Sequence, residues 1–315
     1  MRISVTDRCN MRCTYCVPED GFQHVSHDHI LSYEEILRIV RLSSSMGVKK
    51  YRITGGEPLV RKGIIELIGE INKIDGAETT FTTNGLMLEE KAEELKKAGV
   101  KRLNISLDSL KEKRFEEITQ TATLQRVLRG IEEAHKVGFD PIKLNFVVMK
   151  GINDDELLDF VRFAKDKPYH VRFIEFMPMK KNGWGKEKFI PSEEIEKMVR
   201  KEYNLSKDPS EDAGSPSRNF LIDGFAGKVG FISPVSRHFC DSCNRIRLTS
   251  DGHLKSCLLR KGEVDIKALL RDGSDDEVIK AVIAKAVMLK PSGHKLEGND
   301  GEDEEPVMTM TQIGG

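Results

Sequence analysis

The sequence predicts an α/β fold: a partial (β/α)6 TIM-type barrel with a small C-terminal extension closing the barrel mouth. Three observations carry this expectation. Six short β-rich runs alternate with helical patterns over the first two thirds of the chain. The helical stretches are amphipathic and several stop at a glycine. Beyond them the composition turns polar, then rich in strand formers and turn residues. Repeated β-α units of this kind give a parallel sheet with right-handed crossovers.

In chain order, strands are expected at 2–6, 50–54, 79–83, 102–107, 142–149 and 171–176. Ser32 and Glu35 form a capping box that opens a helix with Ile36, Ile39 and Val40 on one face and Gly47 as its stop. Helices over 88–98 and 124–137 end at Gly99 and Gly138, and one over 154–165 follows Asn153 as its cap. Residues 1–203 form the barrel. The polar run 204–218 reads as a linker or loop, and 219–315 as a C-terminal region with strands and a helix at 276–289. The acidic segment 298–306 reads as solvated, and propensity does not place the tail that ends in Gly314 and Gly315.

Fifty basic and 51 acidic residues leave a net charge of -1, so no global charge points to nucleic acid or an anionic membrane. An anionic ligand needs a local group of Arg and Lys. The N-terminus has no signal-peptide pattern and no apolar run is long enough to span a membrane, so a cytoplasmic location is expected. There, cysteines serve as metal ligands or redox groups more than as disulfides.

The six cysteines fall in two groups, Cys9, Cys13 and Cys16, and Cys240, Cys243 and Cys257. Each group has three members, where a closed structural zinc site needs four ligands. Zinc completed by His24, His27 or His29 is one reading of the first trio. Three thiolates on an iron–sulfur cluster with one open iron is the other. For the second trio, with His238 or His253 nearby, spacing alone does not separate the two readings. Polar residues gather at the strand ends, in 54–58 (TGGEP), Thr83–Gly85, Ser106–Asp108, Asn145 and Met177, which in a barrel is the binding face. Arg245 and Arg247 alternate, so on a strand both point to one face, and forked guanidiniums suit phosphate.

The C-x3-C-x2-C spacing after a first strand, together with ITGGEP, resembles the radical S-adenosylmethionine (SAM) superfamily. The ordered set SVTDRCNMRCTYC, YRITGGEPL, FTTNG, NISLDS, KLNFVVMKGIND, RFIEFMPM, FCDSCNRIRLTSDGHLKSC and a terminal Gly-Gly is similar to the GTP 3',8-cyclase family over nearly the whole chain.

That resemblance implies two 4Fe-4S clusters, SAM as cofactor and GTP as substrate. The product would be (8S)-3',8-cyclo-7,8-dihydroguanosine 5'-triphosphate, in the first step of molybdenum cofactor biosynthesis. Cys9, Cys13 and Cys16 would hold the SAM cluster, with Tyr15, Gly56, Ser106 and Met177 around SAM. Cys240, Cys243 and Cys257 would hold the substrate cluster. Arg2, Arg52, Thr83, Lys143, Arg245, Ile246 and Arg247 would surround GTP, and Arg2, Arg245, Arg247, Gly314 and Gly315 would serve catalysis.

It further implies a reduced flavodoxin- or ferredoxin-like electron donor and cyclic pyranopterin monophosphate synthase as the next enzyme. A homodimer stays open. Family members carry a short segment before the first strand, whereas here Arg2 directly follows Met1, where a terminus frays. Two other readings remain: a peptide-modifying radical SAM enzyme with an auxiliary cluster, and a zinc-stabilised binding module without catalysis.

Overall fold

The computed structural model describes residues 1–17, 24–121, 123–180, 182–210, 214–237, 239–260, 262–291, 293 and 309–314. Its barrel part runs β1 (Arg2–Ser4), α1 (Tyr33–Ser45), β2 (Lys50–Thr54), α2 (Ile64–Asn72), β3 (Glu78–Thr83), α3 (Leu88–Lys97), β4 (Arg102–Ser106), α4 (Glu112–Thr119), α5 (Leu124–Lys136), β5 (Ile142–Val148), α6 (Leu157–Phe163), β6 (Tyr169–Glu175) and α7 (Ser192–Arg200). Then follow β7 (Leu205–Lys207), β8 (Ser217–Ile222), β9 (Lys228–Ile232), β10 (Arg247–Leu248), β11 (His253–Lys255), β12 (Glu263–Asp265), α8 (Lys267–Arg271), α9 (Asp276–Met288) and α10 (Met310–Ile313).

All strands join one sheet in the order β12-β11-β10-β1-β2-β3-β4-β5-β6-β9-β8-β7. The eight from β10 to β9 are parallel to their neighbours, and the outer strands pair antiparallel. The partial α/β barrel is therefore present. The chain after β6 adds strands to both sheet edges, β9-β8-β7 beyond β6 and β10-β11-β12 beyond β1.

The pleat sorts the side chains. Ile3, Ile53, Phe81, Leu103, Leu144, Val171 and Val229 are fully buried and join the main apolar core. They alternate along their strands with Arg2, Arg52, Thr80, Arg102, Lys143, His170 and Lys228, which lie on the opposite face. The core accordingly forms the layer between sheet and helices, and the concave side of the barrel is polar. Barrel interiors are more usually filled by branched apolar side chains.

Local signals explain much of this. Ser32 Oγ accepts from the Glu35 amide while the Glu35 carboxylate accepts from the Ser32 amide, so the capping box forms as expected. Gly99 and Gly138 adopt positive φ at the ends of α3 and α5.

Three expectations need correction. Within 204–218, Leu205–Lys207 form a strand, and β8 begins at Ser217. Its exposed Ser206 and Lys207 give an edge strand the composition of a loop. Asn153 does not cap the helix after it. It accepts from the Met149 amide and donates to Asp108 O and Val147 O, tying β4 to β5. The following turn, Asp154–Glu156, is consequently 3-10, and α6 starts at Leu157.

Arg2 is held rather than frayed. Its amide donates to Ile246 O at 2.8 Å, and it pairs in register with Arg52 and Arg247. The acidic segment 298–306, His238 and Gly315 lie outside the described residues.

Candidate functional site

Cys9, Cys13 and Cys16 are half-buried free thiols in the loop leaving the C-terminal end of β1. The loop is tied to strand ends on both sides. Asn84, just past β3, donates to Asn10 Oδ1 at 2.7 Å and to Cys9 Sγ at 3.7 Å. Tyr15 donates to Asp108 Oδ2 at 2.6 Å, and Asp108 also accepts from the Val147 amide. Burial pushes the Cys9 thiol up to about 11, and burial with the charges of its neighbours pushes Cys13 well up. Thiols that disfavour one another's charge suit a centre whose metal ions deprotonate them.

Behind the loop, Gly56 and Glu57 donate their amides to Thr6 O at 2.7 Å and Arg8 O at 2.8 Å. A Cβ at Gly56 would stand 2.3 Å from Arg8 O, so close backbone approach to the cysteine loop requires glycine here. The fully buried Glu57 carboxylate accepts from the Leu59 and Asn84 amides and from Thr83 Oγ1. Burial raises Glu57 to about 7 and Asp108 to about 6, against the donors that face them. Both carboxylates thus act as scaffold, linking strand ends to the loop, and the Thr83 hydroxyl is committed to Glu57.

The neighbouring histidines are engaged elsewhere. His24 lies 3.5 Å from Asp7, His29 is bonded to Ser26, and His253 lies 3.2 Å from Asp251. Among the described residues no three His, Cys, Asp or Glu side chains converge on the point of a single ion. A cluster spreads its ligands over several irons.

The concave face carries a belt of cations near the N-terminal ends of the strands. The in-register positions Arg247, Arg2 and Arg52 are adjacent, with Arg102, Lys143 and Arg172 further round. Burial, then neighbouring cations, lower Arg2 well below its usual value, Arg52 to about 9, Arg172 to about 10 and Lys143 to about 7. Arg102 is answered by Glu78 and Lys228 by Asp208. Arg2, Arg52, Lys143, Arg172 and Arg245 have no carboxylate partner among the described residues, and Arg172 Nε and two Arg245 nitrogens have no hydrogen-bond partner. Like charges packed this way call for an anion.

Cys240 and Cys243 precede β10 and Cys257 follows β11, which runs antiparallel to it. The second trio therefore sits at the N-terminal rim, across the chamber from the first. Burial raises the Cys243 thiol, but the Arg245 amide, the Arg245 guanidinium and Lys290 outweigh it and hold the thiol below its usual value. Lys290 donates to Arg245 O at 2.7 Å and Ser256 O at 2.9 Å, clipping the segments that carry Cys243 and Cys257. Arg245 stacks on Phe239 at 4.6 Å.

The tail enters this chamber. A capping box of Thr309 and Gln312 opens α10, whose Ile313 packs with Met179 and Leu259 beside Cys257. Gly314, at φ 79°, accepts a 2.8 Å hydrogen bond from Arg247 Nη1.

Of the residues marked in the sequence, Arg2, Arg52, Lys143, Arg245, Arg247 and Gly314 gather around one chamber, and the Ile246 carbonyl holds Arg2. Ser106 and Met177 are half-buried at the ends of β4 and β6, on the side of the first trio. Sequence reasoning marked Asn145 but missed Arg102, Asn104, His170 and Arg172. Their signal is the same alternation that marks Arg245 and Arg247, in RLNIS and YHVRFIE.

Comparison with known proteins places this geometry. The radical SAM superfamily pattern matches residues 3–164, and the Molybdenum Cofactor Synthesis C pattern matches residues 169–296. The GTP 3',8-cyclase of Thermodesulfovibrio yellowstonii is 45% identical over 317 aligned residues, covering 100% of this chain and 97% of the relative. That of Peptoclostridium acidaminophilum is 49% identical, covering 96% of this chain and 91% of the relative. Among solved structures, Streptococcus suis SuiB bound to S-adenosylmethionine aligns with a TM-score of 0.60 at 16% identity, covering 89% of this chain and 66% of that one. The likeness to SuiB supports the fold alone.

Proposed function

The chain belongs to the GTP 3',8-cyclase family, and from that premise we propose how its own residues carry the family's radical SAM reaction in molybdenum cofactor biosynthesis. The observation that carries the reading is the cation chamber without a carboxylate counterpart for five of its members, set between two incomplete cysteine trios.

Cys9, Cys13 and Cys16 would hold the cluster that binds SAM, and Cys240, Cys243 and Cys257 would hold the second, on the GTP side of the chamber. When bound, the reduced first cluster and SAM would supply the radical chemistry for hydrogen abstraction at the 3' carbon of GTP. Tyr15, Gly56, Ser106 and Met177 line the SAM side, where Asp108 and Glu57 keep the loop in place. Arg2, Arg52, Lys143, Arg172, Arg245 and Arg247 neutralise the triphosphate and fix the ribose at reacting distance. Thr83 and Ile246 act behind these groups, through Glu57 and the Arg2 amide. Gly314 closes the chamber and excludes water. No general base is required for hydrogen abstraction, in keeping with carboxylates that serve as scaffold.

We divide the chain at 204–218 into a radical SAM barrel and a region that carries the second cluster. The six cysteines, grouped as ligand sets with no disulfide among them, support a cytoplasmic place. There, a reduced flavodoxin- or ferredoxin-like protein would supply electrons and cyclic pyranopterin monophosphate synthase would take the product.

Anaerobic reconstitution tests the cofactor content. The account expects about eight irons per chain, two cubanes, falling by half when Cys240, Cys243 and Cys257 are replaced together by alanine. A colourless chain that holds zinc would instead establish the binding-module reading.

A further inference from the structure

Lys290 stands at the second cysteine trio on a rigid support. It follows α9, whose Ile279, Ile283 and Ala286 are buried in the main core, and its amide donates to Val287 O at 3.1 Å. Ser256 Oγ donates to the adjoining Leu289 O at 3.5 Å. The end of α9 is thereby fixed against the hairpin of β10 and β11.

An ammonium has three protons to give. Two are committed, to Arg245 O at 2.7 Å and Ser256 O at 2.9 Å. Arg245 stands two residues after Cys243, and Ser256 directly precedes Cys257. The third proton has no oxygen acceptor among the described residues. The ammonium also acts on the Cys243 thiol, helping to hold it below its usual value.

The charge of Lys290 is unspent. Lys255, on the same hairpin, is answered by Glu263 at 2.8 Å, whereas Lys290 meets carbonyls and no carboxylate among the described residues. Arg245 and Arg247 face the same cysteines with the same sign. The first trio lies in the opposite field, with Glu57 acting on Cys9 and Asp108 on Cys13. A cluster takes its potential from net charge, exposure and hydrogen bonds to sulfur. Reduction adds an electron to it, so a fixed ammonium and an N–H on sulfur both favour the reduced form.

We propose that Lys290 is a positioning residue of the second cluster. It clips the segments that carry Cys243 and Cys257, turns its third N–H to the Cys243 sulfur, and raises the reduction potential of that cluster alone. This rests on the two-cluster reading above and adds the residue that tunes one of the two.

The test is a redox titration of the reconstituted protein followed by electron paramagnetic resonance, in wild type and Lys290→Met, which keeps an unbranched stem and loses the ammonium. The second cluster's signal is the one missing when Cys240, Cys243 and Cys257 are replaced together by alanine. Its midpoint is expected to fall, the reduction equilibrium shifting about tenfold, or about 59 mV for one electron. The first cluster's midpoint and the iron content are retained. Lys290→Arg keeps the charge and the donors, and is expected to hold that equilibrium within about twofold of wild type. If Lys290→Met sheds the second cluster, Lys290→Gln, which keeps an N–H without the charge, must show the fall, or shed the cluster too while Lys290→Arg keeps it. An unchanged midpoint, an equal fall at both clusters, or loss of the second cluster from the Gln and Arg variants alike would overturn the role of Lys290 and leave the two-cluster reading intact. A wild-type protein that took up no iron would overturn both.

Discussion

Replacing Arg245 and Arg247 together by alanine is expected to weaken GTP binding by about 100-fold or more, with SAM affinity within about twofold of wild type. Arg245 is half-buried against Phe239 with two buried nitrogens unpartnered, and Arg247 is buried between the tail and the second trio. Neither touches the loop of Cys9, Cys13 and Cys16, which is fastened through Asn84, Tyr15 and Thr119 on the far side of the chamber. The two binding events should therefore separate in calorimetric titrations of each ligand. Equal loss of both would mean that the partition of the chamber is wrong.

Gly314→Val is expected to lower turnover by about 100-fold, with both ligands still bound to within a fewfold. Gly314 holds φ 79°, which a β-branched residue adopts only under strain, and a Cβ there would meet Thr54 Cγ2 at 2.6 Å. The tail would withdraw, and Arg247 would lose its partner and its fixed direction. A displacement of about an ångström at a positioning group has an effect of this size. Steady-state rates beside equilibrium affinities separate this outcome from simple misfolding. Unchanged turnover would show that the tail is a bystander.

Much of the barrel is readable from the sequence because its signals are local. The capping box at Ser32, the glycine stops at Gly99 and Gly138 and the six β-rich runs each depend on residues close in the chain. The strands of the second part were harder. Leu205–Lys207 is short, polar and at a sheet edge, so nothing local distinguishes it from a loop until Ile222 pairs with Leu205. The cysteines and the Arg245–Arg247 pair stand out because their spacing carries chemistry. Arg172 and His170 do not, since one polar residue at every second strand position usually means a solvated face. Only the closure of the sheet turns that face inward. Likewise, Gly56 reads as room for a ligand, and the structure adds a nearer reason, the Arg8 carbonyl packed against it.

The most direct test of the central claim uses GTP carrying deuterium at the 3' carbon, incubated anaerobically with the reconstituted protein, SAM and a reductant. The account predicts that 5'-deoxyadenosine recovered from the reaction carries the label. Deuterium retained wholly in the nucleotide, with unlabelled 5'-deoxyadenosine formed at the same rate, would contradict it.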